Sequence, residues 1–269
     1  IRDRLDLIRT LKKKYGQKQG TIEAVLEHAQ RIKLELDSVE HGEEIIAKLK
    51  AEMENERMEL EKYALSLSSK RTEDAKKLSK EVMGQLKDLG MEKAVFKVQS
   101  LQTEDSQGLV EIKGKNVRTE SHGIDQVSFL ISPNPGEDPK PLARIASGGE
   151  ISRVMLAIKT ILAESDAVPV LVFDEIDAGI GGRVAEAVGK KLKEIGQKRQ
   201  VLCITHLPQI AALGDSHYVV SKQENKGRTI TNVEKLDQKQ RVDELARMLG
   251  GSKVTETAMD HAREMLGKN

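Results

Sequence analysis

The chain has 269 residues, of which 32% are charged and only 2% aromatic, a composition too poor for one large globular core and one that calls for a long solvated element. Lys and Arg total 44 against 43 Asp and Glu, which excludes a strong global field for nucleic acid and leaves any such contact to local patches. The single cysteine, Cys203, sits in an apolar run, so a disulfide framework and a thiolate metal cluster are excluded and a reducing, cytosolic setting fits.

The N-terminus, Ile1-Arg2-Asp3-Arg4-Leu5, has neither an initiator Met nor a signal-peptide pattern, and the chain is expected to begin inside a longer protein. No run of about 18 apolar residues exists to span a membrane. Ile1, Leu5, Ile8 and Leu11 predict a short amphipathic helix that stops at Tyr15-Gly16; Gly16 to Gly20 reads as a turn, with Thr21 capping a second helix. From Ile22 the apolar residues Val25, Ala29, Ile32, Leu36 and Val39 recur in steps of three and four, the seam of a coiled coil. The seam stumbles at Gly42, resumes through Ile46, Leu49, Met53, Leu60, Ala64, Leu67, Leu78, Val82, Leu86 and Leu89, and is interrupted by Arg71 and Asp74. One helix over 21–90 would be roughly 100 Å long and needs a partner strand; a self-contained helical bundle is the other reading. Lys12-Lys13-Lys14 reads as a solvated face or as a phosphate contact.

All six prolines lie at Pro133 or beyond, and the composition shifts between residues 90 and 95. A helical arm, 1–93, and an α/β domain, 94–269, are therefore expected. Val95–Val98 and Val127–Ile131 predict strands flanking a polar, glycine-containing stretch. The proline-studded segment from Ser132 to Pro141 predicts a stiff connector barred from a sheet interior or a helix. Beyond it, Ile151, Val154, Met155, Ile158, Ile161 and Leu162 follow helical spacing. Ser147, Gly148, Gly149 and Glu150 thus stand at a helix N-terminus, either as an ordinary cap or as an anion site where side-chain-free backbone, unsatisfied amides and the helix dipole converge.

Val168 to Phe173 predicts a strand buried on both faces, with Asp174-Glu175 at its carboxyl end, where open α/β sheets place ligand chemistry. Gln200 to Thr205 predicts a second buried strand ending at His206, with Leu207-Pro208-Gln209 opening a helix. A hairpin from Tyr218-Val219-Val220 to Thr229–Val233 and helices near 238–249 and 254–266 complete the chain. No GxxxxGK[ST] phosphate loop occurs anywhere; the nearest decoy, Gly189-Lys190-Lys191, has Val184 in place of the first glycine.

Three segments carry a family resemblance: Pro141 through Ser147-Gly148-Gly149-Glu150 to Arg153, Asp174-Glu175-Ile176-Asp177-Ala178-Gly179-Ile180-Gly181-Gly182-Arg183-Val184, and Cys203-Ile204-Thr205-His206-Leu207-Pro208-Gln209. Together they resemble the signature motif, Walker B strand and switch histidine of the bacterial RecN family of SMC-like, ABC-type ATPases. That resemblance implies an α/β fold, the C-terminal lobe of an ABC-type P-loop NTPase head with a long antiparallel coiled-coil arm. It implies ATP and Mg²⁺ as cofactors, Asp174 as the metal residue, and Glu175 and His206 as catalytic residues, base and γ-phosphate switch. Ser147, Gly148, Gly149 and Glu150 would reach nucleotide on the opposite head, and Ala178, Gly179 and Ile180 would form a loop beside it. The implied partners are a second head by homodimerisation, the N-terminal Walker A half of the same protein, and DNA ends, single- or double-stranded; the implied setting is the bacterial nucleoid. Gly181 departs from the wider pattern, in which many relatives have an Asp closing that loop. An SMC or Rad50-like chromosome-maintenance or nuclease-partner ATPase would share the motifs; against it stand the short arm and the absence of a Cys-x-x-Cys zinc hook. A coiled-coil scaffold with an inactive head would share only the arm.

Overall fold

The proline-free, highly charged first third of the chain forms helix. In the computed structural model, which describes residues 2–16, 20–145, 147–163, 167–225, 228–251 and 254–267, α1 covers Arg2–Tyr15 and α2 runs unbroken for 67 residues, Ile22–Asp88. Thr21 caps α2 by accepting a hydrogen bond from the Ala24 amide at 3.2 Å. Gly42 stays within the helix, as a lone glycine costs only about 1 kcal/mol against alanine. Of the turn expected between α1 and α2, residues 17–19 lie outside the described residues.

Two compact units result, Ile1–Leu67 with Thr103–Ile124, and Ser68–Gln102 with Asp125–Asn269. This division does not follow the compositional boundary near residue 93, because α2 contributes side chains to both. In the first unit Tyr15 stacks on His28 with ring centroids 5.4 Å apart. The glycine-containing stretch holds an antiparallel hairpin, β2 (Val110–Ile112) and β3 (Lys115–Val117), turned through Lys113 and Gly114, both with positive φ. Val110, Val117 and Ile124 pack on Ala64, and Arg57 Nε donates to the Leu109 carbonyl at 3.0 Å. Ile32, Leu36, Val39, Ile46, Leu49 and Met53 of the seam are exposed.

The second unit is built around the downstream end of α2, where Val82, Leu86 and Leu89 are fully buried with Phe96, Ile131, Val154 and Ile176. β1 (Val95–Leu101) pairs antiparallel with β4 (Gln126–Ser132). The end of the proline-rich connector adds a short edge strand to that sheet: Lys140–Pro141 forms β5 against Ile131 and Leu130 of β4. It does so at the sheet edge, where a residue without an amide proton is tolerated. Then follow α3 (Gly148–Ile161), β6 (Val170–Phe173), α4 (Gly182–Gly196), β7 (Gln200–Cys203) and the single turn α5 (Pro208–Ala211). A β8–β9 hairpin (Tyr218–Asn225, Arg228–Lys235) and helices α6 (Gln238–Gly250) and α7 (Glu256–Gly267) end the chain.

β6 and β7 are parallel, paired from Val170↔Gln200 to Phe173↔Cys203. Leu171 and Phe173 enter the core, but Val172 is 64% and Ile204 61% exposed, with Val170 and Leu202 also open. The strand expected to be buried on both faces is thus covered on one only. An uninterrupted apolar run fixes that both faces want cover, not that both receive it from this chain.

Where α2 meets β1 and β4, Asp125 is buried and accepts from Ser68 Oγ at 2.7 Å, Ser100 Oγ and Gln102 Nε2 at 3.1 Å, and Arg71 Nη1 at 3.4 Å. The break in the seam at Arg71 is this contact. Burial pushes the Asp125 carboxyl up, but the donors, Ser68 foremost and then Gln102, Ser100 and Arg71, outweigh it and hold its pKa below the ordinary value. A depressed carboxylate adds stability above its unfolded pKa, about 3.9, and loses it as pH falls through the lower folded value. Asp125→Asn should therefore lower stability at neutral pH and flatten the acid limb of a denaturation–pH profile below about pH 4, read by urea melts across pH. A parallel downward shift at every pH would show that the charge contributes nothing.

Candidate functional site

Parallel pairing of β6 and β7 delivers two loops side by side at their carboxyl ends, and the Ile204 amide, donating to the Phe173 carbonyl at 2.9 Å, carries the pairing one step further. Asp174 and Glu175 leave β6 exposed to solvent. Glu175 has φ 54°, a left-handed conformation that costs a side-chain-bearing residue roughly 1–2 kcal/mol. Two bonds hold it there: its amide donates to Asp174 Oδ1 at 2.9 Å, and its carbonyl accepts from the Ala178 amide at 3.0 Å.

α3 presents its amino end to this corner. Ser147 is the N-cap, accepting from the Glu150 amide at 3.4 Å; Ala146 lies outside the described residues. One turn along, Ser152 Oγ donates to the Asp174 carbonyl at 2.7 Å. Buried Arg153 donates through Nη1 to the carbonyls of Ala178 at 2.9 Å and Ile176 at 3.3 Å. Burial pulls the pKa of this guanidinium down, partly offset by the charge of Glu150. The 176–180 loop is thereby bolted to α3, with Gly179 at φ 73° and the Ile180 amide donating to the Asp177 carbonyl at 3.3 Å.

The two glycines are needed at different places. A Cβ on Gly148 would stand 2.3 Å from Glu175 Oε2, while one on Gly149 would stand 2.9 Å from both the Glu175 carbonyl oxygen and Ala178 Cβ. The structure thus brings Gly148 and Gly149, in the helix turn that Ser147 caps and Glu150 shares, against Glu175 and Ala178 within one chain. His206 lies on the neighbouring strand end, its side chain 72% exposed, and meets Asp177. Pattern reading assigned no role to Asp177, Thr205, Ser152 or Arg153. The one signal is the third acid of Asp174-Glu175-Ile176-Asp177, and it is weak, because an acid that ends up buried reads in sequence as one more solvated turn residue.

The corner can receive an anion at the amino end of α3 and can orient water through Glu175. Cys203 takes no part: burial first, then the charges of Asp177 and Asp174, push its thiol to about 12, so it stays protonated. Among the described residues no three His, Cys, Asp or Glu side chains form a metal cage. Mg²⁺ does not require one, since it keeps several waters and is held by one or two carboxylates with substrate phosphates, and the exposed Asp174 suits that mode. Among the described residues no helix is long and apolar enough to cross a membrane.

The glycine contacts separate two substitutions. Gly149→Ala meets backbone oxygen and a neighbouring Cβ, neither of which can swing away, and should cost about 1–3 kcal/mol in urea denaturation. Gly148→Ala meets only the movable end of Glu175 and should be nearly neutral for stability. Equal losses at both positions would contradict the close packing of α3 on the 174–178 loop.

No family model matches the chain. It is 42% identical over 266 residues to the DNA repair protein RecN of Halalkalibacterium halodurans, covering 99% of this chain and 45% of the relative. Against RecN of Bacillus subtilis it is 42% identical over 270 residues, covering 99% and 46%. The chain therefore spans a little under half the length of these relatives. Among solved structures, an Smc head domain with a coiled coil and joint from Pyrococcus yayanosii is similar with a TM-score of 0.48 and 20% identity, over 84% of this chain and 38% of that one. With relatives of one name matching nearly its whole length at this identity, the chain belongs to the RecN family of DNA repair proteins.

Proposed function

We propose that this chain is the C-terminal part of an ATP-dependent DNA double-strand break repair and recombination protein. In this reading residues 1–93 are the descending strand of a coiled-coil arm and 94–269 the C-terminal lobe of an ABC-type ATPase head. The observation that carries it is the Glu175 carboxylate against Gly148 at the amino end of α3, with Asp174 beside it at the end of β6. A group able to orient water and a backbone able to receive an anion then share one corner.

The phosphate loop absent from this sequence belongs to the N-terminal half of the same protein. That half covers the open face of β6 and β7, Val170, Val172, Leu202 and Ile204, since parallel strands are stable when covered on both faces. The ascending arm covers the exposed seam of α2. Asp174 would hold Mg²⁺, which when bound would supply positive charge to offset that of the transferring phosphoryl group. Glu175 accepts a hydrogen bond from the attacking water and orients it. Ser147, Gly148, Gly149 and Glu150 present amides and a helix dipole to ATP on the opposite head of a homodimer, beside the Ala178, Gly179 and Ile180 loop. His206 meets the γ-phosphate side. Closure of the heads at the base of the arms controls engagement of DNA ends in the bacterial nucleoid.

The 269-residue chain alone should hydrolyse ATP only at background, because the loop that supplies most ground-state phosphate affinity is on the other half. Mg²⁺-dependent turnover by this chain, sensitive to Glu175→Ala, would place the nucleotide elsewhere.

In the full-length protein, Glu175→Gln keeps the shape and the metal residue but loses the group that orients water. Hydrolysis should slow by about 10²–10⁴-fold, and ATP-bound head pairs should accumulate and release DNA more slowly. Asp174→Asn should instead reduce pairing. Light scattering and DNA dissociation rates with ATP read both; identical pairing and release for the two variants and the parent would sink the assignment.

A further inference from the structure

Asp177 is 3% exposed, and three donors converge on one of its carboxylate oxygens. Oδ2 lies 2.6 Å from the Thr205 hydroxyl, 2.8 Å from the His206 amide and 2.9 Å from His206 Nδ1. Chemistry fixes the direction of each bond. A backbone amide can only donate. Thr205 Oγ1 accepts from the Leu207 amide at 3.0 Å, so its own proton is the one turned toward Asp177. An oxygen receiving these two donors offers a lone pair to the ring, and Nδ1 must carry the hydrogen.

The amide and hydroxyl bonds already tie the turn after β6 to the end of β7. The ring contact therefore adds orientation rather than attachment. A surface histidine in water turns freely and favours a proton on Nε2, whereas a buried carboxylate on Nδ1 selects the opposite tautomer and fixes the plane of the ring.

We propose that Asp177 is the positioning residue of His206, locking the imidazole as its Nδ1–H tautomer and presenting Nε2 to the ligand side at the carboxyl ends of β6 and β7. This rests on the assignment of His206 to the phosphate site. The lock defines what His206 can do there. As a neutral ring it accepts a hydrogen bond through Nε2, from a water or hydroxyl. It donates to a phosphate oxygen only when Nε2 also carries a proton, and Asp177 then faces the resulting cation. A motif reading that counts His206 alone is thus incomplete: the unit is the Asp177–His206 pair, joined across two strand ends by one oxygen.

The test is made in the full-length protein labelled on the histidine ring nitrogens, with the His206 signals identified by their loss in His206→Gln. Long-range proton–nitrogen correlation should find wild-type His206 as the Nδ1–H tautomer, and Asp177→Asn should return it to the Nε2–H form. Thr205→Val, which leaves the ring contact in place, should keep the wild-type tautomer. A wild-type His206 in the Nε2–H form would overturn the proposal outright, whether or not the Asn variant folds.

A second readout asks whether Asp177 acts through the ring. Asp177→Asn should lower kcat for ATP by about 10²-fold, the low end for loss of a proton-handling group, with KM little changed. Combined with His206→Gln it should add nothing further. Additive losses would make Asp177 merely structural and would also overturn the proposal. Should His206→Gln leave hydrolysis untouched while the tautomer still follows Asp177, the placement of His206 at the phosphate fails and the positioning by Asp177 stands.

Discussion

Four residue pairs between β6 and β7 set where every candidate group of the second unit stands. Because the strands run parallel and in step, both chains leave the sheet at the same level. Asp174 and Glu175 emerge beside Thr205 and His206, with the bond from Ile204 to the Phe173 carbonyl closing the gap between them. An antiparallel partner would have put the second loop at the far end of the strand. The apolar faces of α3 and α4 hold this short pair from one side only, through Leu171, Phe173, Val154 and Val188. A two-stranded parallel sheet with one bare apolar face is poorly covered by itself, and the proposed N-terminal half would supply that cover.

Much of this arrangement is legible in the sequence, for reasons that differ by element. α2 announces itself because a seam sustained over many turns has only one periodic solution, and Thr21 and Ser147 both cap as their positions predict. β6 and β7 stand out as apolar runs ending in charged or ring side chains. The hairpin at 110–117 is not legible, since two three-residue strands carry too little alternation to be told from a polar loop. Nor is the edge pairing of Pro141, where position within the sheet, not the residue, decides whether a missing amide matters.

The site shows the same division. Residues whose proposed roles rest on type and order, such as Asp174, Glu175, Ser147 and His206, can be picked out in one dimension. Those that contribute through burial cannot. Asp177 and Arg153 look like ordinary charged residues of a loop and a helix face, yet each is buried, and Asp177 Oδ2 and Arg153 Nη1 meet backbone or side chains brought in by another element. Such groups are costly to bury unless paired, so their pairing is the constraint that fixes the loop.

Strain at Glu175 completes the picture. A glutamate held at φ 54° persists only where surrounding bonds over-determine it, and here Asp174 Oδ1, the Ala178 amide and the bolt from Arg153 to the 176–180 loop supply them. The left-handed turn is what brings the carboxylate to Gly148, and the absence of a Cβ on Gly148 is what admits it. Neither feature is useful without the other. A relaxed backbone at Glu175 would carry the acid away from the helix end, and a side chain at Gly148 would push it out. The acid and the glycine are therefore one structural device shared by β6 and α3, and movement of α3 relative to the sheet must change how that acid is held.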